Sequence, residues 1–171
     1  KAFKIKNGIS ATRYLGTSPG STAGTGSGFS IAGLSYDDKS FSVTSQEATP
    51  LGVTFKSDGT KMYIVGYTTD AAYQYSLSTA WDVSTASYDN VSLSMSSENT
   101  YPTGLTFSPD GTKLYVVGIG GADEVNQYNL STAWDLSTAS YNSVFVVSED
   151  TSPRGVQLSS DGTKMYISGY T

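Results

Sequence analysis

The sequence predicts an all-β repeat protein built from four-stranded antiparallel β-propeller blades, at about 52 residues per repeat, and three observations carry that reading. LSTAWDVSTASY at 77–88 returns as LSTAWDLSTASY at 130–141, with Val83 against Leu136 as the one difference. A second block occurs three times, as KSDGTKMYIVGY at 56–67, SPDGTKLYVVGI at 108–119 and SSDGTKMYISGY at 159–170. The composition completes the case: 18 Gly and 13 Tyr with only 15% charged residues suit half-buried strands joined by tight turns.

The spacing is regular. Gly52 to Gly104 is 52 residues, Gly104 to Gly155 is 51, and Trp81 to Trp134 is 53. Within one period, Val53 and Phe55 alternate as a first strand. Ser57-Asp58-Gly59-Thr60 is a turn, since Asp caps it and Gly supplies positive φ. Met62–Val65 is a continuous apolar run, as expected of a strand buried on both faces. Tyr73, Tyr75 and Leu77 alternate as a third strand, and Val91, Leu93 and Met95 as a fourth. The Trp stretch between them has no strand alternation. It reads as a compact connector whose indole covers the end of the blade.

Ahead of the repeats, Phe3 and Ile5 alternate with Lys4 and Lys6, and Asn7-Gly8 separates them from Ile9 and Ala11. Asn-Gly tolerates the positive φ of a hairpin turn, so residues 1–15 are expected to form a β-hairpin, either an ordinary edge hairpin of the same domain or a separate element that Phe3, Ile5 and Ile9 anchor to another chain. Residues 16–34 form a Gly/Ser/Thr-rich arm. Its GTSPGSTAGTGSG stretch lacks the Lys-Ser/Thr and following helix of a phosphate cradle. Residues 35–171 hold the blades: two complete repeats, a leading fourth strand near Lys39–Val43, and a partial third repeat. A longer polypeptide is the expected source of the remaining blades; the alternative is several copies combining theirs in one ring.

Charge and residue inventory exclude several functions. A net charge of −5 and scattered cations argue against a nucleic-acid partner. No apolar run approaches the roughly 20 residues that span a bilayer, and nothing at the N-terminus reads as a signal peptide. Lack of Cys and His removes disulfides, thiolate and imidazole metal sites, and any Ser-His-Asp or Cys-His catalysis. An oxygen-only cation site or a paired-carboxylate hydrolase remains open. The recurring Asp58, Asp110 and Asp161 offer one carboxylate per turn, too few for calcium, and read as turn caps. Adjacent Asp123 and Glu124 would point to opposite faces of a strand and make no catalytic pair. No metal, cofactor or catalytic residue is therefore expected.

The block FSPDGTKLYVVG at Phe107–Gly118, with its counterparts at 55–66 and 158–169, resembles blades of bacterial propellers grouped around the YVTN and TolB repeats. The longer unit running through QYNLSTAWDLSTASY, and the opening KAFKIKNGISATRYLG, are similar to segments of structural proteins of marine tailed phages. The resemblance implies a non-enzymatic virion protein: a tail fibre, tail-tip component or capsid decoration. It would meet other virion proteins through its N-terminal segment, assemble as a homo-oligomer, and display loops toward a host-surface glycan or receptor. The other reading is a secreted, lectin-like carbohydrate-binding propeller. Tyr67, Trp81, Trp134 and Tyr170 are the aromatic binding candidates, because aromatic faces stack on sugar rings. Function is expected where the copies differ: Tyr67–Ala72 against Ile119–Val125, Glu98–Tyr101, and the N-terminal arm.

Overall fold

The Asp-Gly turns set the pitch of each repeat. In the computed structural model, which describes residues 4–6, 38–120, 123–148 and 152–170, Gly59, Gly111 and Gly162 all adopt φ near +70°. Each turn reverses the chain between a first and a second strand, and the apolar alternation on either side does the rest.

β1 (Lys4–Lys6) pairs antiparallel with β2 (Ser40–Ser42). The first whole blade follows, with β3 (Pro50–Phe55), β4 (Lys61–Gly66), β5 (Ala71–Leu77) and β6 (Ala86–Ser94) hydrogen-bonded in that order. The second repeats it with β7 (Pro102–Phe107), β8 (Lys113–Gly118), β9 (Glu124–Leu130) and β10 (Ala139–Val146). β11 (Ser152–Leu158) and β12 (Met165–Tyr170) then form a two-stranded sheet. All the pairings are antiparallel. The architecture is therefore all-β, with propeller blades that do not close a ring in this chain.

The expected strands fall where the alternation placed them. Of the N-terminal hairpin, only Lys4–Lys6 lie among the described residues, and their partner is β2; Phe3 and Ile9, and the arm at 16–34, lie outside them.

β4 shows why its sequence is apolar throughout. Met62 and Ile64 pack with Val43, Tyr75, Leu77 and Val83 on one face. Tyr63 and Val65 face the next blade and pack with Leu105, Phe107, Leu114 and Tyr128. All four β4 residues from Met62 to Val65 are fully buried, each burial worth roughly 1.5–3 kcal/mol for a side chain of this size. The last residues of one blade reach the next in the same way: Val43, Met95 and Val147 occupy one repeat position and each joins the core of the blade that follows.

The first strands β3, β7 and β11 approach one another at a row of glycines. A Cβ on Gly52 would lie 3.0 Å from the Gly104 Cα, and one on Gly104 would lie 2.9 Å from the Arg154 carbonyl oxygen. The Thr103 hydroxyl donates to the Pro153 carbonyl at 3.0 Å beside them. Each glycine follows a β-bulge, at Leu51, Thr103 and Arg154, where the register shifts by one residue. Since the neighbour of Gly104 is backbone, the strands must separate to admit a methyl group. Gly104→Ala is expected to cost about 1–3 kcal/mol, read as a lower midpoint in urea unfolding, whereas Ala substitution of exposed Ser160 should leave the midpoint unchanged.

Candidate functional site

The two ends of the blades differ in kind. One end carries the Asp-Gly turns and the Trp connectors between the third and fourth strands. At the other lie the β4–β5 loop, the segment leading into β7, and the end of β12. A six-residue strand separates the ends by about 20 Å.

At the turn end the repeated Trp stretch is locked in place. Trp81 and Trp134 adopt left-handed backbone, at φ +65° and +67°. Their backbone N–H groups donate to the Gly59 and Gly111 carbonyls, both at 3.0 Å. The indoles lie so close over these glycines that an added Cβ would meet the rings at 2.4 and 2.1 Å. Phe55 and Phe107 pack beneath them, at 5.6 and 4.9 Å between ring centroids. Asp82 and Asp135 then cap the short 3₁₀ turns Val83–Thr85 and Leu136–Thr138 by accepting from Ser84 and Ser137. Trp81 remains 55% exposed, but its inner ring surface is committed to the turn.

At the loop end the structure gathers a different set. Tyr67 and Tyr101 stack in parallel, 4.6 Å apart and 2° from coplanar. The Arg154 guanidinium lies 5.9 Å from the Tyr101 centroid and 5.9 Å from that of Tyr170. The result is a band from Tyr67 through Tyr101 and Arg154 to Tyr170, spanning three successive repeats. Both outer tyrosines are exposed, at 41% and 71%. Arg154 is also exposed and makes no ion pair among the described residues.

Local structure holds the band in position. Arg154 occupies the β11 bulge, which turns its side chain out of the strand alternation. Glu47 is fully buried beneath the loop that carries Tyr67, and accepts from the backbone N–H groups of Thr49, Thr68 and Thr69 and from the Thr69 hydroxyl. Burial alone would raise its pKa, but these bonds outweigh burial and hold the carboxyl below the usual range. Asp70, at the end of the loop, is shifted the other way by burial and by the Glu47 charge. One repeat later Asn99 takes the place of Glu47 and accepts from the Tyr101 N–H at 2.9 Å. Gly66 and Gly118 leave room for these two side chains, since a Cβ would come within 2.6 Å of each.

Of the four aromatic candidates, then, Tyr67 and Tyr170 meet at the loop end, while Trp81 and Trp134 lie at the turn end as cover. Ile5 lies opposite Phe41 in the β1–β2 pair. Tyr101 lies in the Glu98–Tyr101 segment, one of those where function is expected because the copies differ, but it is not among the four aromatic candidates, and Arg154 was not singled out from the sequence. Their signal was a departure from the repeat: Arg154 stands between Pro and Gly where the earlier copies have Leu51 and Thr103.

No cluster of three or more His, Cys, Asp or Glu side chains placed to hold a metal ion occurs among the described residues, and no helix is long and apolar enough to cross a membrane. The turn aspartates behave as caps. Asp110 accepts from Ser108 and from the Thr112 N–H and hydroxyl, and Asp161 does the same with Ser159 and Thr163.

No family model and no curated protein matches the sequence. Solved structures do match in fold. A candidate 6-phosphogluconolactonase from Bacteroides fragilis aligns with a TM-score of 0.55 at 17% identity, over 69% of this chain and 31% of its own. A second candidate 6-phosphogluconolactonase, from Bacteroides uniformis, gives 0.57 at 18%, over 80% and 40%. A functionally unknown protein from Desulfotomaculum acetoxidans gives 0.58 at 16%, over 77% and 41%. The chain thus spans less than half the length of each, and the likeness is one of fold. It corrects one expectation, that the chain is not an enzyme: the scaffold is shared with candidate lactone hydrolases. The physical reason lies in the inventory. Lack of His and Cys removes imidazole and thiolate chemistry but leaves carboxylate, tyrosine and lysine chemistry untouched.

The turn caps predict a pH dependence. The Ser108 and Thr112 bonds hold Asp110 at a pKa of about 2, those from Ser159 and Thr163 do the same for Asp161, and the Lys56 and Thr60 bonds put Asp58 well below its ordinary value. For depressed carboxyl pKa values, the stabilisation is complete above the unfolded value of about 3.9 and disappears as pH falls through the folded one. Thermal unfolding midpoints should therefore fall between pH 4 and pH 2, and Asp110→Asn should show a smaller fall. Equal falls in the two proteins would contradict the assignment.

Proposed function

We propose that the chain binds saccharides along the loop-end band, with acidic sugars preferred, and that this binding serves attachment by a virion structural protein of a tailed phage. The single observation that supports it is the continuity of the band: two stacked tyrosines, an exposed guanidinium and a third tyrosine on successive repeats. Tyrosine faces offer the flat apolar surface that the C–H face of a sugar ring covers. An arginine with no acidic partner among the described residues offers paired N–H donors to a carboxylate, sulfate or phosphate on that sugar. Glu47, Asn99 and the Arg154 bulge fix the positions beforehand, so little order is lost on binding. The virion setting draws on the repeat wording and on the N-terminal segment ahead of the blades. A secreted lectin-like propeller would use the same surface.

Titration calorimetry with uronic, sialylated and sulfated oligosaccharides should detect binding that Arg154→Ala and Tyr67→Ala each weaken about tenfold or more, while Trp81→Ala leaves it intact. Equal affinity for neutral and acidic sugars would remove the role of Arg154, and a loss confined to Trp81→Ala would move the site to the other end. 6-Phosphogluconolactone belongs in the same panel, given the fold neighbours, with turnover followed alongside binding. Mass spectrometry of purified particles tests the virion setting independently.

A further inference from the structure

Four repeat positions change character together between the two whole blades. Gln46, Glu47, Ala71 and Tyr73 in the first repeat become Glu98, Asn99, Glu124 and Asn126 in the second. The four are neighbours at the loop end, on the blade face that meets the preceding segment. Glu47 and Asn99 cover Gly66 and Gly118, which lie opposite Ala71 and Glu124 across the ladder. Tyr75 and Tyr128 complete each set, their hydroxyls donating to Gln46 at 3.4 Å and to Glu98 at 3.5 Å.

In the first repeat this corner is filled and satisfied. Glu47 accepts from three backbone N–H groups and a hydroxyl, Ala71 adds no polar side-chain atom, and the Tyr73 ring packs against the blade core and Tyr88. In the second repeat it is left open. The Asn126 Nδ2 donates to Glu124 at 2.9 Å, but its Oδ1 has no donor; Asn99 Oδ1 accepts from the Tyr101 N–H, but its Nδ2 has no acceptor. Both asparagines are only 1% exposed. Apart from Asp70 Oδ1, these are the buried side-chain polar atoms that lack a partner among the described residues. Glu98 and Glu124 likewise have no cationic partner there. Burial, and then the charges of Glu98 and Glu124, push the Tyr128 hydroxyl up, so both carboxylates bear on one point.

We propose that Glu98, Glu124 and the Asn126 Oδ1 hold a calcium ion at the second repeat, with Asn99 donating to one of its waters. Calcium takes about six to eight oxygens and accepts amide carbonyls among them; two carboxylates and one amide supply part of that shell and water the rest. A bare ion suits the site better than an ammonium or guanidinium group, because the Asn126 oxygen is closed to anything larger. The Asn126 Nδ2 bond holds the Glu124 carboxylate beside that oxygen. The ion ties the segment carrying Tyr101 to β9. The first repeat binds none, since Gln46, Ala71 and Tyr73 bring no carboxylate and Glu47 is already committed to its loop.

Titration calorimetry of calcium chloride into the whole chain, first stripped with EDTA, should show one ion per chain with a dissociation constant of about 10⁻⁴–10⁻³ M. The thermal unfolding midpoint should rise by about 3 °C or more at about 10 mM calcium. Glu98→Gln, Glu124→Gln and Asn126→Leu, which nearly preserve shape, should each weaken binding tenfold or more and remove the rise. Asp161→Asn, at the turn end, should change neither. No binding at about 10 mM, binding that survives all three variants, or an equal loss in Asp161→Asn, as expected if calcium merely gathers on a chain of charge −5, each overturns the proposal.

Discussion

Successive blades are coupled by polar groups that one blade buries in the face of the next. The Tyr63 hydroxyl donates to the Trp134 carbonyl at 2.6 Å, and the Gln74 side chain accepts from the Leu136 N–H at 2.9 Å. Both partners belong to the second blade's Trp connector, and neither donor nor acceptor in the first blade reaches water. A buried polar group left without its partner costs about 1–3 kcal/mol, so these two bonds fix the angle and height at which one repeat follows another. Apolar contact between Tyr63 and Phe107 supplies attraction but tolerates sliding; the hydrogen bonds do not.

That coupling explains why the Trp stretch is the most faithfully repeated part of the sequence. Its shape must satisfy its own Gly turn, its own 3₁₀ cap and the preceding blade at once. A residue under three constraints has little freedom left for recognising a ligand. The loop end is built differently. There Glu47 holds one loop and Asn99 another, while the residue after the Pro is exposed Leu51, buried Thr103 or exposed Arg154, so the support repeats while what is displayed changes. Rigid support with variable display is the arrangement expected of a binding surface on a repeat scaffold.

Much of this was legible in the sequence. Alternation located the first, third and fourth strands of the repeat, because each has one face on a blade core, and the continuous apolar run of Met62–Val65 located the second and announced its burial on both sides. The Asp-Gly turns and the covering role of Trp were legible for a local reason: positive φ and turn capping depend on neighbours a few residues away. The band was half legible. Tyr67 and Tyr170 could be picked by residue type, but their association with Tyr101 and Arg154 depends on contacts between repeats about fifty residues apart, and on a bulge that periodicity does not reveal. Trp81 and Trp134 were attractive for the same aromatic chemistry. Only the positions of Gly59 and Gly111 beneath them show that one ring face of each is already occupied.

The repeats also show how little a residue's own identity decides its burial. Tyr63, Tyr115 and Tyr166 occupy one position in three copies of the same motif. The first is fully buried, the second partly buried and the third more than half exposed. Their local sequences, turns and strand pairings on the inner side are the same. What differs is the number of strands and blades stacked beyond each: a complete next blade for Tyr63, half a blade for Tyr115, and nothing among the described residues for Tyr166. Burial here is a property of the array, since each repeat covers its predecessor and depends on its successor for its own cover.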